Sequence, residues 1–179
     1  MNKKVLVLSA SPREGGNSDL LCDQFIAGAK EGGNEAEKIF LEDKKINYCL
    51  GCDECKRNDG ICVHQDDMTM ILDKMIDADV LVMATPVYFY NMNAQMKTLI
   101  DRVYARFREV KNKDIYFIVT AMDERKQAME KTIEGFRGFT DCLQSIKEKG
   151  IIYGTGAWQK GEIKDLPAIK ESFEMGRNL

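Results

Sequence analysis

Four of the six cysteines, Cys49, Cys52, Cys55 and Cys62, fall in one segment with the spacing C-x2-C-x2-C-x6-C. Thiolates two residues apart can wrap round one compact centre, and Cys62, beyond the flexible Asn58-Asp59-Gly60, can supply a fourth ligand. The spacing admits three readings: a cubane iron–sulfur centre, free or oxidised thiols, or zinc. Structural zinc usually takes two separated C-x2-C knuckles, and no proline follows Cys62 as in the tight ferredoxin pattern. His64, the only histidine, is either a further ligand or proton donor or a solvated loop residue; nothing apolar or charged frames it, which favours the loop residue. Cys22 and Cys142 stand among apolar neighbours at helical spacing and are expected in the core.

A second constellation opens the chain. Ser9-Ala10-Ser11-Pro12-Arg13-Glu14-Gly15-Gly16-Asn17-Ser18 follows a short apolar run and leads into a helical pattern. Hydroxyls at Ser9, Ser11 and Ser18, an arginine, two glycines and a helix N-terminus converge there, a combination suited to a phosphate. It is no P-loop, since no Gly-Lys-Ser/Thr follows, and it lacks the G-x-G-x-x-G dinucleotide fingerprint. The bland alternative is a turn with Asn17 or Ser18 capping the helix.

A third is Thr85-Pro86-Val87-Tyr88-Phe89-Tyr90-Asn91. Three aromatics after a proline suit a flat ligand, with the Thr85 hydroxyl and backbone N–H groups meeting its polar edge. The rival reading has Phe89 and Tyr90 filling core or a subunit interface. Thr120-Ala121-Met122-Asp123 is a fourth loop, and an inward Asp123 carboxylate would oppose a negatively charged ligand.

The elements that must position these loops alternate. Val5–Leu8, Ala36–Leu41, Val80–Ala84, Ile115–Val119 and Ile151–Tyr153 read as strands. Leu21, Cys22, Phe25, Ile26 and Ala29 mark one helix, ended by Gly32-Gly33, and Met68, Ile71, Leu72 and Met75 mark another behind Asp66-Asp67. Met96, Leu99, Ile100 and Val103 form a third face; Met129, Ile133, Phe136, Leu143 and Ile146 suggest a long fourth helix, and Ala168–Phe173 a last one. Such alternation implies right-handed crossovers and a doubly wound α/β fold. Its ligands sit beyond the carboxyl ends of the strands, where the first, third and fourth loops lie.

The 179 residues suit one domain, with the cysteine-rich loop at about 47–65, and 44% hydrophobic residues suffice for a core. Twenty-six Lys and Arg against 29 Asp and Glu leave a net charge of -3, which disfavours nucleic acid or an anionic membrane as partner. The longest apolar stretch, Val80 to Tyr90, falls short of the ~20 residues needed to span a bilayer. The apolar start is too short for a signal peptide, so a cytoplasmic protein is expected.

Leu8-Ser9-Ala10-Ser11-Pro12-Arg13 with Gly16-Asn17-Ser18, then Ala84-Thr85-Pro86-Val87-Tyr88-Phe89 and Lys97-x-x-Ile100-Asp101-Arg102, resemble the flavodoxin-like NAD(P)H-dependent FMN reductase family. The cysteine segment with Asp66-Asp67-Met68, and Lys160-Gly161-Glu162-Ile163, extend the match and are similar to the iron–sulfur flavoprotein branch. The resemblance implies a five-stranded parallel sheet in the order 2-1-3-4-5 within a three-layer sandwich. It implies FMN, with its phosphate at Ser9, Ser11, Arg13, Asn17 and Ser18, and its ribityl chain and ring at Thr85, Pro86, Val87, Tyr88, Phe89 and Asn91. Thr120 and Ala121 approach the other side of the flavin. Asp101 and Arg102 are expected to be structural.

By the same resemblance NAD(P)H is the hydride donor, a quinone, flavin, nitro or azo compound the small-molecule acceptor, and a homodimer or homotetramer the assembly. The alternative is an electron-transfer protein holding FMN and a 4Fe-4S cluster on Cys49, Cys52, Cys55 and Cys62, with a ferredoxin-like partner. A flavin-free binding module is the third reading.

Overall fold

The computed structural model describes residues 2–179. Its five long strands are β1 (Lys4–Ser9), β2 (Glu35–Phe40), β3 (Val80–Tyr88), β5 (Lys111–Thr120) and β6 (Gln144–Gly154), all parallel in the order β2-β1-β3-β5-β6. That is the doubly wound order expected, with one addition. A two-residue strand β4 (Asn91–Met92) folds back antiparallel on the end of β3. The helices are α1 (Asn17–Glu31), α2 (Glu54–Arg57), α3 (Met68–Asp77), α4 (Ala94–Val103), α5 (Glu130–Thr140) and α6 (Ala168–Arg177).

Alternate residues of the strands feed two cores, as a sheet covered on both faces requires. Leu6, Leu8, Leu81, Met83 and Phe117 pack under α3, α4 and α5, where Phe117 and Phe136 stack with ring centroids 4.8 Å apart. Val5, Val7, Val82 and Ile118 pack under α1 and α6 with Leu21, Cys22 and Phe25. Those two helices touch through glycines. A Cβ on Gly28 would stand 2.0 Å from the Phe173 carbonyl oxygen, and one on Gly176 2.1 Å from that of Phe25. Only glycine allows so close an approach.

Several boundaries differ from expectation: β3 runs on to Tyr88, β5 begins at Lys111 and β6 at Gln144. The fourth long helix ends at Thr140, so Leu143 lies in a turn and Ile146 in β6. Apolar residues at 136, 139, 143 and 146 imitate a helical stripe although the chain has already turned. Cys142 falls in that turn and is exposed, not in the core; Cys22 is buried, which pushes its thiol up. The start of α1 is also not capped as expected. Gly16 occupies the N-cap with no side-chain bond, and the Asn17 side chain is used elsewhere.

Candidate functional site

The loops beyond the carboxyl ends of β1, β3, β5 and β6 enclose a pocket of about 680 Å³, within the ordinary range for a cofactor. Its base is the turn after β1. The Ser11 hydroxyl donates to the Arg13 carbonyl (2.8 Å) and accepts from the Arg13 N–H (3.2 Å), curling the chain so that the Gly16 N–H reaches the same carbonyl (2.8 Å). A Cβ at Gly16 would lie 2.5 Å from the Ser11 Oγ and fill the cradle. With no side chain capping α1, its first N–H groups and positive dipole end face the cradle, and Arg13 lines it. This turn fits a phosphate.

A buried carboxylate supports the turn. Asp19 accepts the Ser9 hydroxyl (2.9 Å), the Gly15 N–H (3.0 Å) and the Lys38 ammonium (2.9 Å). Asn93, the N-cap of α4, does similar work beside it. Its Nδ2 donates to the Ala10 carbonyl, and its Oδ1 accepts from the Thr85 hydroxyl (3.1 Å) and the Met96 N–H (3.2 Å). Neither Asp19 nor Asn93 emerged from the sequence as a site residue. Asn93 carried a signal, since it directly precedes the face that begins at Met96; Asp19 carried none.

The aromatic wall is a hairpin. Tyr88 pairs with Asn91 and Val87 with Met92, leaving Phe89 and Tyr90 as a two-residue turn with φ of 50° and 62°. Left-handed backbone at two bulky residues costs about 1 kcal/mol or more each, so the turn is strained and held by the structure around it. Tyr88, Phe89 and Tyr90 are all exposed, Phe89 completely, so none of them fills the core.

The far wall joins β5 to β6. The Ala121 N–H donates to the Gly154 carbonyl (3.0 Å) and the Ala157 N–H to the Ala121 carbonyl (3.1 Å). Asn17 then ties this wall to α1: its Nδ2 donates to the Gln159 carbonyl (2.9 Å) and its Oδ1 accepts the Gly161 N–H (2.9 Å). Glu162 accepts the Trp158 and Gln159 N–H groups, each at 2.7 Å. Trp158 and Gln159 face the pocket and were missed in the sequence; the cue was their place after the last parallel strand. Asp123 pairs with Arg125, which lowers its carboxyl to about 2 and occupies it outside the pocket.

Ten of the thirteen expected contact residues line this pocket: Ser11, Arg13, Asn17, Ser18, Pro86, Val87, Tyr88, Phe89, Thr120 and Ala121. The other three lie elsewhere. Ser9 and Thr85 are buried beneath it as supports, their hydroxyls taken by Asp19 and Asn93. Asn91 lies beyond the hairpin turn and lines a separate cleft of about 860 Å³ beside α4 and α5. Asn17 lines the pocket but spends its side chain on the far wall.

The cysteine segment stands apart. Cys49 lines the cleft by α4 and α5, whereas Cys62 lines a smaller cavity of about 260 Å³ by Arg102. Burial and the neighbouring Cys62 raise the Cys55 thiol. Among the described residues no three His, Cys, Asp or Glu side chains gather as a metal-binding group. His64 bonds the Tyr48 carbonyl through Nε2 at 3.0 Å, as a loop residue would.

The profile of the NADPH-dependent FMN reductase family matches residues 3–139, and the chain belongs to that family. An iron–sulfur flavoprotein of Archaeoglobus fulgidus is 40% identical over 100 residues, 56% of this chain and 45% of that protein. A Bacillus subtilis protein named as an NAD(P)H-dependent FMN-containing oxidoreductase is 29% identical over 181 residues, 96% of each. An NAD(P)H:quinone oxidoreductase from Methanothermobacter marburgensis shares the fold with a TM-score of 0.74 at 18% identity, over 99% of this chain and 96% of that one. The chain spans about half the length of the iron–sulfur flavoproteins that head these matches. Among the described residues no helix is long and apolar enough to cross a membrane.

Proposed function

We propose that residues 1–179 form one FMN-binding domain of an oxidoreductase that takes a hydride from NAD(P)H and reduces a small quinone, flavin, nitro or azo acceptor. The observation that carries this is one pocket joining an uncapped helix N-terminus, cradled by Ser11, Arg13 and Gly16, to a strained aromatic hairpin. Ser11, Arg13, Ser18 and the first N–H groups of α1 hold the phosphate. Pro86, Val87, Tyr88 and Phe89 bear on one side of the ring, while Thr120, Ala121 and Trp158 bound the other. Bound FMN supplies the hydride-accepting centre, so no side chain is required as nucleophile. Donor and acceptor use the same open face in turn, which gives ping-pong kinetics. Titration with FMN and FAD, followed by NADPH under anaerobic conditions, tests the reading. FMN is expected to bind in preference to FAD and to be reduced.

The C-x2-C-x2-C-x6-C spacing, together with relatives named as iron–sulfur flavoproteins, favours a second reading for the cysteine segment: a 4Fe-4S centre serving a ferredoxin-like partner. It requires the four thiols to close up from their present places. Anaerobic reconstitution followed by iron and sulfide analysis distinguishes it from free thiols. The exposed Tyr88-Phe89-Tyr90 tip is read as covered by a second copy of the chain, since soluble monomers rarely present such an aromatic patch. A stable monomer in light scattering, with FMN bound, would remove that assignment.

A further inference from the structure

The cysteine segment leaves the body of the fold at Asn47 and returns at Asp66, and one side chain reaches both points. Arg102, in the last turn of α4, donates through Nη1 to the Asn47 carbonyl and to the Asp66 Oδ2, each at 2.7 Å, and through Nη2 to the Asp66 Oδ1 at 3.0 Å. The two side chains are 2% and 0% exposed. Asp66 completes its shell with the Asn47 N–H (2.9 Å), the Asn47 Nδ2 (3.1 Å) and the Met68 N–H (3.2 Å). One step further in, Lys45 and Asp67 exchange two more bonds, so the entering and leaving strands of chain are laced together.

A buried ion pair gives little net stability over an apolar replacement, because desolvation offsets the attraction. What a bidentate guanidinium does supply is orientation, since both oxygens of the carboxylate are fixed in its plane. The same end of α4 also meets the outer part of the segment. Tyr104 donates to the Asp53 Oδ1 at 3.1 Å, and Lys56 sits 4.5 Å over the Tyr104 ring. At its other end α4 is capped by Asn93, which holds the phosphate turn through the Ala10 carbonyl. Nine residue steps along the helix, about 14 Å, separate the two anchors.

We infer that Arg102 is the positioning residue of the cysteine segment: it pins both roots to one end of α4 and thereby sets where Cys49, Cys52, Cys55 and Cys62 stand relative to the pocket fastened to the other end. The part that concerns the pocket rests on the FMN reading above; the clamp itself does not.

The test is alkylation of the intact chain, with the modification rate of each cysteine followed by peptide mass mapping, alongside FMN titration. In Arg102→Lys, which keeps the charge but loses the fork, the half-buried Cys55 and Cys62 are expected to react about tenfold faster, as the roots open without global unfolding. Cys142, exposed outside the segment, keeps its rate; Cys22, in the core, remains protected; FMN affinity stays within about twofold of the parent. Asn47→Ala, which removes a contact without stranding a buried charge, gives a smaller acceleration in the same direction.

Unchanged rates at Cys55 and Cys62 in both variants would overturn the inference. So would acceleration at Cys22 together with loss of FMN, which would make Arg102 a support of the whole fold. If the parent binds no FMN, the functional reading fails while the labelling pattern still decides the clamp.

Discussion

The phosphate turn and the cysteine segment are both polar loops leading from a strand to a helix, yet they are held in opposite ways. In the turn after β1 almost every polar group has an internal partner: Ser9 and Gly15 on Asp19, Ser11 on Arg13, Ala10 on Asn93. What remains free there is the helix N-terminus and the cation that lines the cradle. The cysteine segment reverses this arrangement. Its roots are locked by Arg102 and Asp66, while Tyr48, Leu50, Ile61 and Val63 between them are exposed, and Cys49 and Cys62 line different cavities. The first loop is preorganised for its ligand, so binding there costs little ordering. The second is fastened chiefly where it begins and ends, with Tyr104 holding its outer part at Asp53 and Lys56.

Filling the cradle should produce the largest effect. In Gly16→Ala the new Cβ meets the Ser11 hydroxyl and the Arg13 carbonyl, and FMN affinity should fall about 100-fold, roughly 2.7 kcal/mol, measured by flavin fluorescence titration. Cysteine labelling should not change. Ser11→Ala with Arg13→Ala should follow at about tenfold or more, since charge-assisted bonds to the phosphate are lost. Riboflavin, which lacks the phosphate, should bind parent and double variant alike; an equal loss for both ligands would break the assignment.

A smaller contrast separates the two cysteines outside the segment. Cys22→Ser places a hydroxyl among Leu21, Phe25 and Val82 and should cost about 1–3 kcal/mol in denaturant unfolding. Cys142→Ser, in an exposed turn, should stay within about 0.5 kcal/mol.

The smallest effect expected near neutrality is that of pH on the clamp. Burial alone would raise the Asp66 carboxyl, but hydrogen bonds from Arg102 and Asn47 outweigh it and hold the group well below its ordinary value. A depressed carboxylate contributes its full stability above the unfolded value of about 3.9 and loses it only as pH falls through the folded value. Hydrogen exchange at the segment's roots, corrected for intrinsic rates, should therefore be flat from about pH 5 to 8. A rise in opening already at pH 5 would contradict the buried pair.

Most of the sheet was legible because parallel strands buried on both faces read as continuous apolar runs, and Val5–Leu8, Val80–Ala84 and Ile115–Val119 are such runs. The end of α5 was not. Asp141-Cys142 turns the chain without glycine or proline, and Leu143 and Ile146 continue the spacing of Phe136 by coincidence. The hairpin at Phe89-Tyr90 was hidden for a related reason: a two-residue turn with two positive φ angles normally announces itself with Asn or Gly, not with aromatics. Within the site, residues that line the pocket could be read from the first and third loops. Residues that act from beneath, such as Asp19, depend on which chains the fold stacks together, and no local pattern carries that.

The most direct measurement is the absorbance of the FMN-loaded protein during anaerobic addition of NADPH. The account predicts that oxidised-flavin absorbance disappears in the parent, and that the Ser11→Ala, Arg13→Ala variant, which binds FMN about tenfold more weakly, shows a correspondingly smaller change at FMN concentrations near the parent's Kd. FMN that binds in the pocket but keeps its oxidised spectrum with NADPH and with NADH would contradict the hydride-transfer account.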